Sequence, residues 1–106
     1  GLQAKQWASI PKAMARGDVT AVADLGPAHL VMVLQKLCHD MLARHSGATP
    51  RFFSESDLPT HASLGSLTPW SQELMRSART AEHPFNPGLM LEALVSRAQT
   101  ALRARA

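Results

Sequence analysis

One stretch constrains the fold of this chain more than any other: LVMVLQKLCHDMLARH, from Leu30 to His45. At 100° per residue, Leu30, Val31, Leu34, Leu37, Cys38, Met41 and Leu42 fall on one broad face. A stripe that wide suits a central helix packed by several neighbours, not a strand or a narrow two-helix seam. Pro27 can occupy its first turn after Gly26, and Gly47 can end it as a left-handed cap.

The rest of the chain reads as helices built around that one. Tyrosine is absent and aligned Val/Ile/Thr alternation is missing, which argues against strands. In TPWSQELMRSARTA the aligned residues are Trp70, Leu74, Ala78 and Ala81, with Leu67 just outside. Thr68 is the expected N-cap and Pro69 the first helical residue. The closing helix carries Leu91, Leu94, Val95, Ala98 and Leu102. Near the start Trp7, Ile10 and Met14 align, but Pro11 predicts a kink or break. Gly17 then stops that helix, and Asp18 caps a short one through Leu25. The segment 47–66 is the one long irregular stretch, with Arg51, Phe52 and Phe53 expected to pin it. The fold class expected is therefore all-α, a compact bundle of about five helices forming a single domain over residues 1–106.

The corner EHPFNPGLMLEAL has a local explanation. A residue before proline is pushed out of helical geometry, so Pro84 should end the preceding helix. Asn86 should cap the next one through the N–H of Gly88 or Leu89. Pro87 then takes the first position, and Phe85 should pack on Met90 as a hydrophobic staple.

The chain's 106 residues allow one core, and 45% hydrophobic content is a globular value. No run approaches the length needed to span a bilayer, and GLQAKQWASI does not read as a signal peptide. Gly rather than Met at the first position is what a cut fragment or a tag remnant would leave, and upstream domains are expected. Cys38 as the single cysteine excludes an intramolecular disulfide and fits a reducing cytoplasm. The net charge is +3 and the pI about 9.8, yet the eleven Lys and Arg residues are spread from Lys5 to Arg105. Such a spread fits solvated helix faces better than a nucleic-acid patch; the densest cluster is the tail RAQTALRARA.

Little in the sequence points to catalysis. Cys38, His39 and Asp40 are consecutive, so on a helix they should diverge by 100° steps. Cys38 and His45 share a face but lie roughly 10 Å apart along the axis, too far for one zinc. Cys38 reads as a core residue, His39 lies on the polar side, and His29, His61 and His83 sit beside turns. No phosphate-cradling loop, dinucleotide fingerprint, nucleophile elbow or zincin motif occurs. No catalytic residue, cofactor or metal is expected in this chain. Two surface features stand out. Gln72, Arg76 and Arg79 share the solvent side of their helix. Leu89 and Ala93 on the closing helix, and Met32 and Ala43 beside Lys36 and His39 on the central one, are apolar residues off the buried stripes, the pattern of a partner interface.

Three pieces together resemble the C-terminal collar domains of delta-prime subunits in the clamp loader of bacterial DNA polymerase III. LQKLCHDMLARHSGATPRFF looks like the family's central helix and the loop after it. ARTAEHPFNPGLMLEALVSRAQ looks like the closing helix with its His-Pro-x-Asn-Pro corner, and MARGDVTAV like the early Gly-Asp turn. The resemblance runs from about Trp7 to Leu102. It implies a structural, oligomerising domain at the C-terminal end of a longer AAA+-type subunit. Its partners would be the delta and gamma/tau subunits, joined in a collar, with DNA reached only through the assembly and no membrane contact. The whole assembly would load the sliding clamp for a DNA-directed DNA polymerase, a transferase, while ATP chemistry stays in the N-terminal parts. The tail RARA matches nothing in that pattern, and the loop SESDLPTHASLGS matches it poorly. A competing reading is a small helical DNA-binding module using the basic tail and the Arg76/Arg79 face. The helix after the corner presents Leu89, Met90, Leu91, Leu94 and Val95, which reads as core rather than as a base-reading surface.

Overall fold

A computed structural model describes residues 3–60 and 62–104. Four α-helices make up the architecture: α1 (Ala4–Arg16), α2 (Pro27–His45), α3 (Leu64–Ala78) and α4 (Pro87–Arg103). Short 3₁₀ turns at Val19–Val22 and Glu55–Asp57 complete it, and no strand occurs among the described residues. The chain is all-α, as expected. The fifth helix is the exception. Asp18 does cap the segment, its side chain accepting the Thr20 N–H at 3.1 Å. Only one 3₁₀ turn fits, however, before Pro27 forces Gly26 into extended geometry (φ −73°, ψ 161°).

α2 lies at the centre and packs against α3 and α4, while α1 docks on α4. Leu30, Val31, Val33, Leu34, Leu37, Cys38, Asp40 and Met41 are all buried, so about half of the α2 circumference faces protein. Its C-terminus closes as anticipated. Gly47 is left-handed (φ 83°), and Ala48 N–H reaches the Ala43 carbonyl at 2.8 Å while Gly47 N–H reaches Arg44 at 3.1 Å. That pair is a Schellman cap. α1 ends the same way at Gly17 (φ 73°), with Asp18 N–H on Ala13 and Gly17 N–H on Met14, both at 3.0 Å. Gln99 of α4 packs so closely on Gly17 that an added Cβ would lie 2.6 Å from its Oε1. Its amide also donates to the Arg16 carbonyl at 3.1 Å, fastening α4 to the end of α1.

Several local expectations need correction. α1 runs through Pro11 without a break. Proline in a helix interior costs roughly 3 kcal/mol, and burial of Ile10, Pro11, Ala13 and Met14 on one face offsets it. α3 begins at Leu64, one turn before the expected Thr68–Pro69 start, because Ser63 is the real cap. Its hydroxyl accepts Ser66 N–H at 3.1 Å. Ser63 N–H donates to the Ala104 carbonyl at 2.7 Å, and the Ser66 hydroxyl to Ala101 at 2.8 Å, so α4 holds that extra turn in place. Pro69 therefore lies inside the helix. α3 also stops at Ala78, well before Pro84, and Ala78 is exposed rather than part of the buried stripe. Ala81 is buried in the turn that follows.

Candidate functional site

The outer side of α2 is organised by the loop that follows it. Asp40 is fully buried, and its carboxylate ties down three successive backbone N–H groups. Oδ1 accepts from Arg51 at 2.9 Å, and Oδ2 from Phe52 at 2.8 Å and Phe53 at 2.7 Å. Burial alone would raise its pKa, but the Arg51, Phe53 and Phe52 N–H groups and the His39 ring outweigh it and hold the carboxyl below the ordinary range. His39 Nδ1 sits 3.0 Å from Asp40 Oδ1. These two neighbours were expected to diverge on the helix. They converge because both turn toward the same loop, His39 meeting Phe52 edge-on at 5.3 Å.

Phe53 is buried and stacks on Trp7 at 4.4 Å, nearly parallel; the Trp7 indole N–H donates to the Phe52 carbonyl at 3.0 Å. Arg51, Phe52 and Phe53 thus pin the loop as expected, though the carboxylate beneath them is the part sequence reasoning missed. Arg44 and His45, in the last turn of α2, extend the clamp. Arg44 donates to the carbonyls of Pro59 (2.6 Å) and Thr60 and pairs with Glu55 at 3.6 Å. His45 Nε2 lies 2.6 Å from the Ala62 carbonyl.

With the loop fixed, Phe52 becomes a hub for cations. Lys36 Nζ and the Arg51 guanidinium each lie 5.3 Å from its ring centroid, and Lys36 is also 5.9 Å from the Trp7 ring. Beside this cluster an open groove of about 490 Å³ is lined by His39, Leu42, Ala43, Ser46, Thr49 and Arg51. The structure thereby brings Lys36 and His39 together and leaves Met32, 43% exposed, on the same outer face.

A second surface forms at the α3–α4 corner. Asn86 caps α4, its Oδ1 accepting Leu89 N–H at 3.1 Å, and Pro87 takes the first position, both as expected. The staple is not made. Phe85 is fully exposed and cannot be packed on Met90, which is half-buried. The extended Asn86 backbone (φ −139°, ψ 100°) carries the chain into α4 without it. Phe85, Leu89 (64% exposed) and Met90 instead border an open hollow of about 520 Å³ with Thr80, His83 and Pro84. Ala93 is also exposed, one turn further along α4.

Gln72 and Arg76 are exposed on α3, and Arg79, also exposed, sits just past its last residue as the C-cap. They are separate from both surfaces above in the lining they contribute. Between α3 and α4 a third groove, about 320 Å³, is bridged by Glu73 and Arg97 at 2.5 Å. Cys38 is buried, and burial pushes its thiol pKa up to about 11 even though Ser71 opposes the shift. Its Sγ faces the Leu67 carbonyl at 3.6 Å. His83 is exposed beside its turn, His29 is half-buried, and His61 lies outside the described residues. No three His, Cys, Asp or Glu side chains among the described residues are placed to hold a metal ion. None of the helices in the described residues is long and apolar enough to cross a membrane.

These surfaces present exposed apolar side chains at the capped corner, and on α2 a groove lined by Arg51 and His39 beside the Phe52 cluster. Comparison of the chain with protein-family models, curated proteins and solved structures returns no match.

Proposed function

We propose that this chain is a structural collar domain of the delta-prime type, joining delta and gamma/tau subunits of a bacterial clamp loader in the cytoplasm. The observation that carries the reading is the His-Pro-Phe-Asn-Pro corner. It holds Phe85 and Leu89 in solvent at the start of a helix whose opposite side, Leu94, Val95 and Ala98, is buried in the chain's own core. A ring member must present two different surfaces to two neighbours. The corner with Ala93 supplies one candidate, and the outer α2 face with Met32, Lys36 and His39 supplies another. The domain itself would carry no catalysis; it would contact DNA only through the assembly and have no membrane partner.

The test is assembly. Leu89→Asp and Met32→Asp should each leave the isolated domain folded, because Leu89 is 64% and Met32 43% exposed and neither belongs to the buried core, while weakening association with the delta and gamma/tau collar domains. A folded variant that assembles with parental affinity removes that residue from the interface.

A second reading is a helical DNA-binding module. Arg76 and Arg79 are exposed, with no carboxylate in ion-pairing distance among the described residues. DNA affinity that falls steeply with salt, and falls again in an Arg76→Gln/Arg79→Gln double variant, would favour it.

A further inference from the structure

We infer that the groove on the outer side of α2 is a docking site for an acidic, partly apolar segment of a partner protein. Three observations converge on that occupant. First, the groove is bordered by cations: Arg51 lines it and Lys36 lies beside it on the same Phe52 ring, and neither has a carboxylate within ion-pairing distance among the described residues. Asp40, the nearest carboxylate in the cluster, is fully buried and committed to the loop N–H groups and His39. Second, the floor is partly apolar. Leu42 and Ala43 are half-buried there, suited to a small aliphatic side chain between two acidic ones. Third, the two cations share one anchored residue. The Phe52 backbone is fixed by its N–H on Asp40 and its carbonyl on the Trp7 indole, and contact with its ring limits the positions the two charges take, so less freedom is lost on binding.

The same arrangement disfavours a single-stranded nucleic acid. Base stacking needs an open aromatic face, whereas the half-buried Phe52 ring already carries Lys36, Arg51 and the edge of His39. Carboxylates meeting the cations and an aliphatic side chain meeting Leu42 and Ala43 use both the charge and the apolar floor of the groove.

This inference shares with the proposed function the reading of the outer α2 face as a partner surface. Its test contains no clamp-loader component, so the two can fail separately. A short fluorescein-labelled peptide of alternating glutamate and leucine is titrated into the chain by fluorescence anisotropy, beside a serine–leucine peptide and an oligothymidine strand. Saturable binding of the glutamate peptide is expected, with the serine peptide and the oligothymidine bound much more weakly. Lys36→Gln/Arg51→Gln should weaken it roughly tenfold, since the charge lining the groove and the one beside it are lost while the Arg51 backbone N–H stays on Asp40. Ala43→Trp, which fills the groove without touching the charges, should weaken it as well. Arg76→Gln/Arg79→Gln should not. Absence of saturable binding overturns the proposal, as does equal binding by the Lys36/Arg51 and Arg76/Arg79 variants with circular dichroism matching the parent. Stronger binding of the oligothymidine than of the peptide would assign the groove to nucleic acid and overturn it too.

Discussion

Replacing Asp40 by alanine should be the most damaging polar substitution in this chain. The carboxylate is the acceptor for the N–H groups of Arg51, Phe52 and Phe53. Arg51 is exposed and can pass its N–H to water, but Phe53 is buried and Phe52 half-buried. Hydrogen bonds to charged groups contribute about 1.5–3 kcal/mol each, and two of the three have no ready substitute, so the loss should be about 3–6 kcal/mol. Against a stability of about 5–15 kcal/mol for such a domain, that is a large fraction. Asp40→Asn should cost less, about 2 kcal/mol. Its carbonyl can still serve Phe52 and Phe53, but its NH₂ then faces the Arg51 N–H, where Oδ1 accepted. Urea titration followed by tryptophan emission reads both, because Trp7 stacks on Phe53 and donates to Phe52, and release of the loop exposes its indole.

Acid adds an independent check. The folded pKa of Asp40 is depressed, so its contribution is fully present above the unfolded carboxylate's pKa of about 3.9 and is lost as pH falls through the lower folded value. The Asp40→Ala chain should therefore lose less stability than the parent over that acid range. A loss below about 1 kcal/mol at neutral pH, or parallel acid curves for variant and parent, would refute the role given to this carboxylate.

Other substitutions follow from the same packing. Leu34→Ala, at a fully buried position in the middle of α2, should cost roughly 2–5 kcal/mol in the same titration. Asn86→Ala should cost about 1 kcal/mol through loss of the α4 cap, whereas Phe85→Ala should leave the melting temperature unchanged because its ring packs on nothing. Cys38 should resist a thiol reagent in the native protein and react promptly in denaturant, since its thiol is buried and its pKa raised to about 11. Calorimetry should detect no saturable ATP binding, because the chain has no glycine-rich loop to cradle the phosphates.

Periodicity made the long elements legible. Most of the α2 stripe from Leu30 to Leu42 and of the α4 stripe from Leu91 to Leu102 is buried where the spacing put it, Leu42 and Leu91 being only half-buried, and Gly17, Gly47 and Asn86 act as the stops and cap they resemble. Proline misled in both directions. Pro11 and Pro69 look like boundaries, yet tertiary packing carries both inside helices. The Ser63 cap was hidden because its helix is completed by contacts from α4, seventeen residues long and remote in sequence. The Phe85 staple failed for the opposite reason: local motif spacing cannot reveal which way a ring turns when no neighbour holds it. Of the surface candidates, Met32, Lys36, His39, Leu89 and Ala93 were visible as residues off the buried stripes. Asp40 was not, since one aspartate between His39 and Met41 on a mostly apolar helix gives no sign that a loop eleven residues on will close over it.

The collar proposal is tested most directly by mixing this chain with delta and gamma/tau collar domains and measuring the assembly by sedimentation velocity. A discrete hetero-oligomer that includes this chain and is weakened by Leu89→Asp or Met32→Asp is the expected result. Sedimentation of the chain as a separate species throughout the titration would contradict it.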